Sequence, residues 1–200
     1  MSAVVSRDEA VRLLNEGGVV AVPTDTVYGL AASLGRPDAI AKIFSLKHRP
    51  SGVALPILVA STSSLEALGV TWPPVARTLS DAFWPGALTI VVDVPAALAR
   101  RVGSALDTAG FRLPDDELLR EVLALTGPLA VSSANEHARL PCHSAHEVLG
   151  VFGESETLDG VLDGGTRVGD VSTVVHVVEN EWRVLRSGVI HADDVARALE

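Results

Sequence analysis

From Val19 to Ala60 the sequence reads VVAVPTDTVYGLAASLGRPDAIAKIFSLKHRPSGVALPILVA, and this stretch limits the possible fold more than any other. An apolar run, Val19 to Val22, stops at Pro23. The polar triplet Thr24-Asp25-Thr26 follows, then an apolar stretch from Tyr28 to Leu34, a segment with helical spacing, a loop carrying Lys47 and Arg49, and a buried-type run from Leu55 to Val59. The order is strand, polar crossover, strand. Polar groups just past the carboxyl end of a buried strand occupy the place where open α/β sheets bind ligands. Two cations in the next loop point to an anion.

The rest of the chain continues the alternation. Ser6 and Glu9 form a capping-box pattern ahead of Ala10, Val11, Leu13 and Leu14, and Gly17-Gly18 ends that helix. Pro37 opens a helix with Ile40, Ile43 and Phe44 on one face. Short helices are expected from Ser61 to Leu68 and from Pro73-Pro74 to a point before Trp84-Pro85-Gly86, and an amphipathic helix from Asp115 to Leu125. Leu88 to Val94, Thr108 to Leu113 and Leu129 to Val131 read as strands. A short helix covers Ser144 to Leu149. Three further strands follow (Thr157 to Leu162, Ser172 to Val178, Trp182 to Leu185), then a last helix from Asp193 to Leu199. Strands and helices alternate early and strands cluster late. The expected fold is α/β, a single domain over residues 1–200, with a twisted mixed parallel and antiparallel sheet and helices packed on it.

Composition narrows the function classes. With 48% hydrophobic and 20% charged residues in 200, the chain has ample core, and a domain of this size buries about 70% of its unfolded surface. The single cysteine, Cys142, leaves no internal disulfide and fits a reducing compartment. The sequence opens without a basic start and apolar core, and no apolar run approaches the roughly 20 residues that span a bilayer. A cytoplasmic protein with no membrane association is expected. The net charge of −9 disfavours sequence-independent nucleic-acid binding, so weak or no direct contact with nucleic acid is expected. A small basic cleft for a small anion remains compatible with that charge.

Each polar cluster admits two readings. Thr24-Asp25-Thr26 either closes a turn through its side chains or holds a small polar ligand. Lys47-His48-Arg49-Pro50 is either a solvated loop or a phosphate site, with arginine as a planar fork and lysine as a mobile charge. Arg112 alternates with Phe111 and Leu113. It therefore either faces solvent or lies on a polar cleft face, where it would need a carboxylate that a substrate could supply. Ser132-Ser133-Ala134-Asn135 follows an apolar strand without a G-x-S-x-G elbow, and reads as a polar clamp on a ligand. Gly164-Gly165 lacks the Walker pattern and is explained by turns. Cys142, His143 and His146 have no standard zinc spacing, so no metal site is expected.

In chain order, VPTDTVYGL (Val22 to Leu30), KHRP (Lys47 to Pro50), WPGALT (Trp84 to Thr89), FRLP (Phe111 to Pro114), SSAN (Ser132 to Asn135), STVV (Ser172 to Val175) and VLRSG (Val184 to Gly188) resemble the motifs of the YrdC-type family, the L-threonylcarbamoyladenylate synthases. The resemblance covers about residues 6 to 190. It implies a YrdC-like fold and a nucleotidyltransferase that makes threonylcarbamoyl-AMP and pyrophosphate from L-threonine, bicarbonate and ATP. That product serves N6-threonylcarbamoyladenosine formation in tRNA, so tRNA-modification proteins are implied partners. ATP enters as a substrate with Mg2+ carried on its phosphates, without a tightly bound cofactor. By resemblance, Thr26, Arg112, Ser132 and Ser172 hold threonine. Lys47, Arg49, Thr108, Ser133, Asn135 and Arg186 line the ATP site, with Lys47 and Arg49 as the catalytic pair.

The chain departs from the family pattern at Gly52-Val53-Ala54, Asp116, His137-Ala138, Cys142-His143, His176 and Ser187. Two alternatives to the synthase follow from those departures. One is a paralogue that binds RNA or nucleotide without catalysis. The other is a carbamoyl-transfer enzyme with a different acceptor.

Overall fold

In the computed structural model, which describes residues 2–49, 52–136 and 139–200, the chain opens with a short strand, β1 (Val4–Val5), and helix α1 (Arg7–Glu16). Ser6 Oγ accepts from the Glu9 amide at 3.2 Å, and Gly17 closes the last turn at φ 92°, where glycine meets no Cβ penalty. Strands β2 (Val20–Val22) and β3 (Gly29–Ser33) follow, then α2 (Pro37–Leu46) and β4 (Ile57–Leu58). The middle of the chain forms α3 (Ser63–Ala67), α4 (Pro74–Phe83), β5 (Leu88–Asp93), α5 (Ala96–Arg101), β6 (Thr108–Arg112) and α6 (Glu117–Thr126). Then come β7 (Leu129–Ser133), α7 (Ala145–Phe152), β8 (Gly160–Leu162), the hairpin of β9 (Thr173–Val178) and β10 (Glu181–Arg186), and α8 (Ala192–Arg197). The sequence reading places neither β1 nor α5. β1 is too short to show a period, and α5 buries only Leu98 and Ala99.

The ten described strands join one mixed sheet in the order β1-β8-β2-β3-β7-β4-β6-β5-β9-β10. β2 and β3 are antiparallel, with Val22 opposite Gly29. The Thr24-Asp25-Thr26 triplet therefore closes a hairpin and is not a crossover, which corrects the sequence reading. The helical crossover begins one strand later: β3 and β4 are each antiparallel to β7 between them, and α2 joins them. β2 and β7 run the same way, so the triplet and the Ser132-Ser133 pair meet at one end of the sheet.

Register decides which side chains share a face. Ala130, Ile57, Phe111, Ile90 and Val175 lie in line across five strands and join the larger core with Ile43 of α2 and Leu79 of α4. On the opposite face, Val20, Val22, Ala31, Leu58 and Leu129 pack under Leu14 of α1 and Leu119 of α6. Each such fully buried leucine stabilises the fold by roughly 1.5–3 kcal/mol. This second face continues over β6, β5 and β9, but its side chains become Thr108, Gly110, Arg112, Thr89, Val91 and Val174, and they line a cavity. Helices thus close one half of the face, and the other half is left open as a cavity.

Two glycines test this packing. A Cβ on Gly188 would run into the Val171 carbonyl oxygen and stand 2.6 Å from both Ser172 C and Thr173 N, whereas a Cβ on Gly150 of α7 meets nothing within 4 Å. Gly188→Ala should destabilise by about 2 kcal/mol or more, and Gly150→Ala should stabilise by about 0.5–1 kcal/mol, both read by urea denaturation.

Candidate active site

The cavity on the uncovered face holds about 420 Å3, within the range of about 300–1,000 Å3 usual for small-molecule sites. Its floor is β5 and β6. Gly110 keeps that floor low, since a Cβ there would lie 3.0 Å from Thr89 Cγ2. Thr24 and Thr26 of the β2–β3 hairpin and Ser132 and Ser133 of β7 form one wall, and Ser172, Arg186 and Leu185 another. Val53, Leu106 and Leu185, all well exposed, make an apolar rim.

The hairpin wall is fixed by its own side chains. Thr24 Oγ1 donates to the Val27 carbonyl at 2.7 Å, accepts from the Thr26 and Val27 amides, and lies 2.9 Å from Thr26 Oγ1. Thr26 Oγ1 in turn accepts from Arg112 Nη1 at 3.1 Å. Arg112 is 6% exposed; its Nε donates to the Gly86 carbonyl at 2.9 Å, and its Nη2 pairs with Asp25 Oδ1 at 2.6 Å. Both sequence readings of Arg112 thus miss its partner. It does not face solvent, and Asp25 supplies the carboxylate that a substrate was expected to bring. Burial pushes the Arg112 pKa down and Asp25 opposes that shift. Of the five guanidinium N–H groups, three are engaged and two remain for a ligand.

Arg49 and Arg186 differ from Arg112 in their partners. Arg49 donates to the Val53 and Ala54 carbonyls at 2.9 and 3.0 Å, and Arg186 donates to the Ser172 carbonyl and Oγ at 2.7 and 2.9 Å. Among the described residues neither has a carboxylate within ion-pair distance. Burial lowers the pKa of both, and Arg112 and Arg49 lower that of Arg186 further, with Asp170 opposing. Positive charge held without a counter-ion in a cleft of an acidic protein is a site for an anion. Thr89 completes this wall, 1% exposed, with its Oγ1 3.0 Å from Ser172 Oγ. Its alternation with Leu88 and Ile90 was the available sequence signal.

Of the site residues expected from the sequence, Thr26, Arg49, Thr108, Arg112, Ser132, Ser133, Ser172 and Arg186 all line this cavity. Lys47 and Asn135 stand behind its wall. The Lys47 ammonium donates to the Ser133 carbonyl, to the Asn135 carbonyl at 2.7 Å and to Asn135 Oδ1 at 2.9 Å. All three of its protons are taken, so it braces the Ser133-Asn135 turn and holds no free donor. Burial, then Arg49, push its pKa down to about 8. The Asn135 amide donates to the Glu136 and Arg139 carbonyls at 2.8 Å.

The segment from Asp163 to Asp170 passes over the hairpin. Tyr28 Oη accepts from the Gly164 amide at 3.0 Å, Asp116 pairs with Arg167 at 2.9 Å, and a Cβ on Gly169 would lie 3.1 Å from Thr26 Cα. Cys142 is buried with its thiol pushed up to about 11 by desolvation first. Among the described residues no group of three His, Cys, Asp or Glu could hold a metal. Arg49 also borders a shallower groove of about 390 Å3, beside Phe44, Arg100 and Arg101. Pro50 of the KHRP motif and the His137-Ala138 departure lie outside the described residues. No helix among the described residues is long and apolar enough to cross a membrane.

The Sua5/YciO/YrdC family, described as telomere recombination, matches residues 12–188. The threonylcarbamoyl-AMP synthase of Bacillus subtilis is 38% identical over 195 residues, covering 96% of this chain and 56% of that protein. The threonylcarbamoyl-AMP synthase of Pyrococcus abyssi is 36% identical over 192 residues, covering 95% of this chain and 56% of its own length. The chain therefore spans little more than half of either relative. A crystal structure of P. abyssi Sua5 complexed with L-threonine superposes with a TM-score of 0.90 at 32% identity, over 98% of this chain and 60% of that one.

The Lys47 environment yields a pH test. An anion that neutralises Arg49 removes one cause of the depressed Lys47 pKa. Binding of an unhydrolysable ATP analogue at pH 8 should therefore take up roughly a few tenths of a proton. Calorimetry in two buffers of different ionisation enthalpy reads this, and Lys47→Met should abolish it. Equal proton uptake by both proteins contradicts the assignment.

Proposed function

The chain belongs to the Sua5/YciO/YrdC family, and on that premise we propose that it is a threonylcarbamoyl-AMP synthase, forming threonylcarbamoyl-AMP and pyrophosphate from L-threonine, bicarbonate and ATP. The observation that carries this reading is the division of charge in one cavity. Arg112 is paired with Asp25, while among the described residues Arg49 and Arg186 have only neutral oxygen partners.

In this reading the triphosphate lies against Arg49 and Arg186 with Thr108 and Ser133, and the threonine carboxylate takes the two spare Arg112 donors beside Thr26, Ser132 and Ser172. In this reading ATP brings Mg2+ on its phosphates as part of the substrate. The threonine nitrogen, as the neutral amine after loss of its ammonium proton to solvent, attacks bicarbonate with loss of water to give a carbamate, whose oxygen attacks the α-phosphorus as pyrophosphate leaves. Two anions must meet, so fixed cations and donors contribute through positioning and charge stabilisation. Lys47 contributes by holding Ser133 and Asn135 in place. Residues 1–200 act as one YrdC-like domain in the cytoplasm, and the product passes to tRNA-modification proteins.

Pyrophosphate release should require threonine and bicarbonate together; release that ignores threonine contradicts the substrate assignment. A panel of other amino acids in the same assay separates a carbamoyl-transfer enzyme with a different acceptor. Arg49→Ala should weaken binding of an unhydrolysable ATP analogue by about 2 kcal/mol or more, and unchanged affinity by calorimetry would remove Arg49 from the phosphate site.

A further inference from the structure

The segment from Asp163 to Asp170 crosses the β2–β3 hairpin as a strap without helix or strand, then leads into β9. It is seated on that hairpin at two points. A Cβ on Gly164 would come 2.6 Å from Pro23 Cγ, and one on Gly169 would come 3.1 Å from Thr26 Cα and 3.2 Å from the Asp25 carbonyl oxygen. The absence of a side chain at both places lets the two backbones approach this closely.

Three groups hold the strap down. Tyr28, fully buried, donates from Oη to the Gly165 carbonyl at 3.0 Å and accepts from the Gly164 amide. The Arg167 amide donates to the His143 carbonyl at 2.8 Å. The Arg167 guanidinium donates through Nη2 to the Gly164 carbonyl at 2.9 Å and pairs with Asp116 Oδ2, also at 2.9 Å. Asp116 is 7% exposed and divides its two oxygens. Oδ1 caps α6 by accepting from the Leu119 amide at 2.8 Å, and Oδ2 takes Arg167. The leucines of α6 lie in the helix-covered half of the sheet face, so the ion pair ties the strap to that half.

Neither Asp116 nor Arg167 lines the cavity. The hairpin beneath the strap does, through Thr24 and Thr26, and Thr26 Oγ1 receives Arg112 Nη1. A buried ion pair is a weak source of net stability, and Arg167 Nε is buried with no partner among the described residues, which lowers its worth for stability further. What the pair does fix is where the strap stands against Thr26. Beyond the strap, Val171 and Ser172 are pinned separately: the Val189 amide donates to the Val171 carbonyl at 3.2 Å and the Thr173 amide to the Ala87 carbonyl at 3.0 Å. Releasing Arg167 therefore acts on Thr26 and spares Ser172 and Arg186. We propose that Asp116 and Arg167 are positioning residues for the amino-acid side of the site: their ion pair clasps the strap onto the β2–β3 hairpin and so sets the place of Thr26. This inference rests on the threonine reading of the cavity and adds to it the pair that holds its wall.

The test separates the clasp from the helix cap. Asp116→Asn keeps an acceptor for the Leu119 amide, so α6 keeps its cap, but it removes the charge that holds Arg167. Arg167→Gln removes the other partner. Each should weaken L-threonine binding by about tenfold in calorimetry, as a misplaced contact does, and change affinity for an unhydrolysable ATP analogue by less than about threefold. The double variant should match either single variant within about threefold, because both break one contact. Gly169→Ala leaves both charges in place and should still weaken L-threonine by about threefold or more, by pressing a methyl group against Thr26. Unchanged L-threonine affinity in the folded single variants overturns the proposal, and so does a loss for the ATP analogue as large as the loss for L-threonine. Amide hydrogen exchange reads the clasp without a ligand. The Thr26 and Val27 amides, both bonded to Thr24 Oγ1, should exchange at least about tenfold faster in Asp116→Asn, while the capped Leu119 amide should not. Unchanged exchange at the hairpin overturns the clasp itself. Failure of the wild-type protein to bind L-threonine overturns the threonine reading and the ligand named here, and faster hairpin exchange in the variant would still support the clasp.

Discussion

One sheet face is covered by helices over half its width and left bare over the other half. On the covered half, leucines and valines of β2, β4 and β7, with Ala31 of β3, meet α1 and α6. On the bare half the same face carries threonine, glycine, two valines and a single arginine. The hydrophobic closure of the first half, with the larger core under the other face, lets the second half stay open without unfolding the sheet. Everything polar in the site depends on that division, because the cavity walls are loops and strand ends hung from the floor of β5 and β6.

Within the cavity, charge is arranged by partner rather than by residue type. Three arginines line it and one lysine stands behind its wall, and their partners differ. Arg112 has a carboxylate, Arg49 and Arg186 have carbonyl and hydroxyl oxygens, and Lys47 has its protons taken by the turn it supports. The buried Asp25–Arg112 pair is a poor source of net stability, since desolvation offsets much of its attraction. It does hold two charges at a fixed distance and orientation, which is what recognition of a small ligand needs.

Much of this was legible in the sequence, and the exceptions have physical causes. The end signals of α1 and α2, the buried strands and the alternation around Arg112 are local patterns, and the structure follows them. The hairpin between β2 and β3 was read as part of a crossover because a Pro-Thr-Asp-Thr turn and a crossover begin with the same residue types. Only pairing partners distinguish them. Asp25 could not be recognised as the partner of Arg112, because the two are 87 residues apart in sequence and only the folded chain brings them together. Lys47 was read as a free cation because backbone carbonyl acceptors leave no trace in a sequence. Seven ordered motifs identified the family, and most of their polar side chains meet in one cavity. Gly86, at the heart of the WPGALT motif, contributes through its carbonyl oxygen to Arg112.

The central claim is that one cavity keeps a neutral corner and a cationic corner apart, the first for an amino acid and the second for a triphosphate. The most direct measurement is a crystal structure of this chain with L-threonine and an unhydrolysable ATP analogue both bound. The account predicts the threonine carboxylate on Arg112 and the phosphates between Arg49 and Arg186. Phosphates seated on Arg112, or lodged in the outer groove beside Arg100 and Arg101, would contradict it.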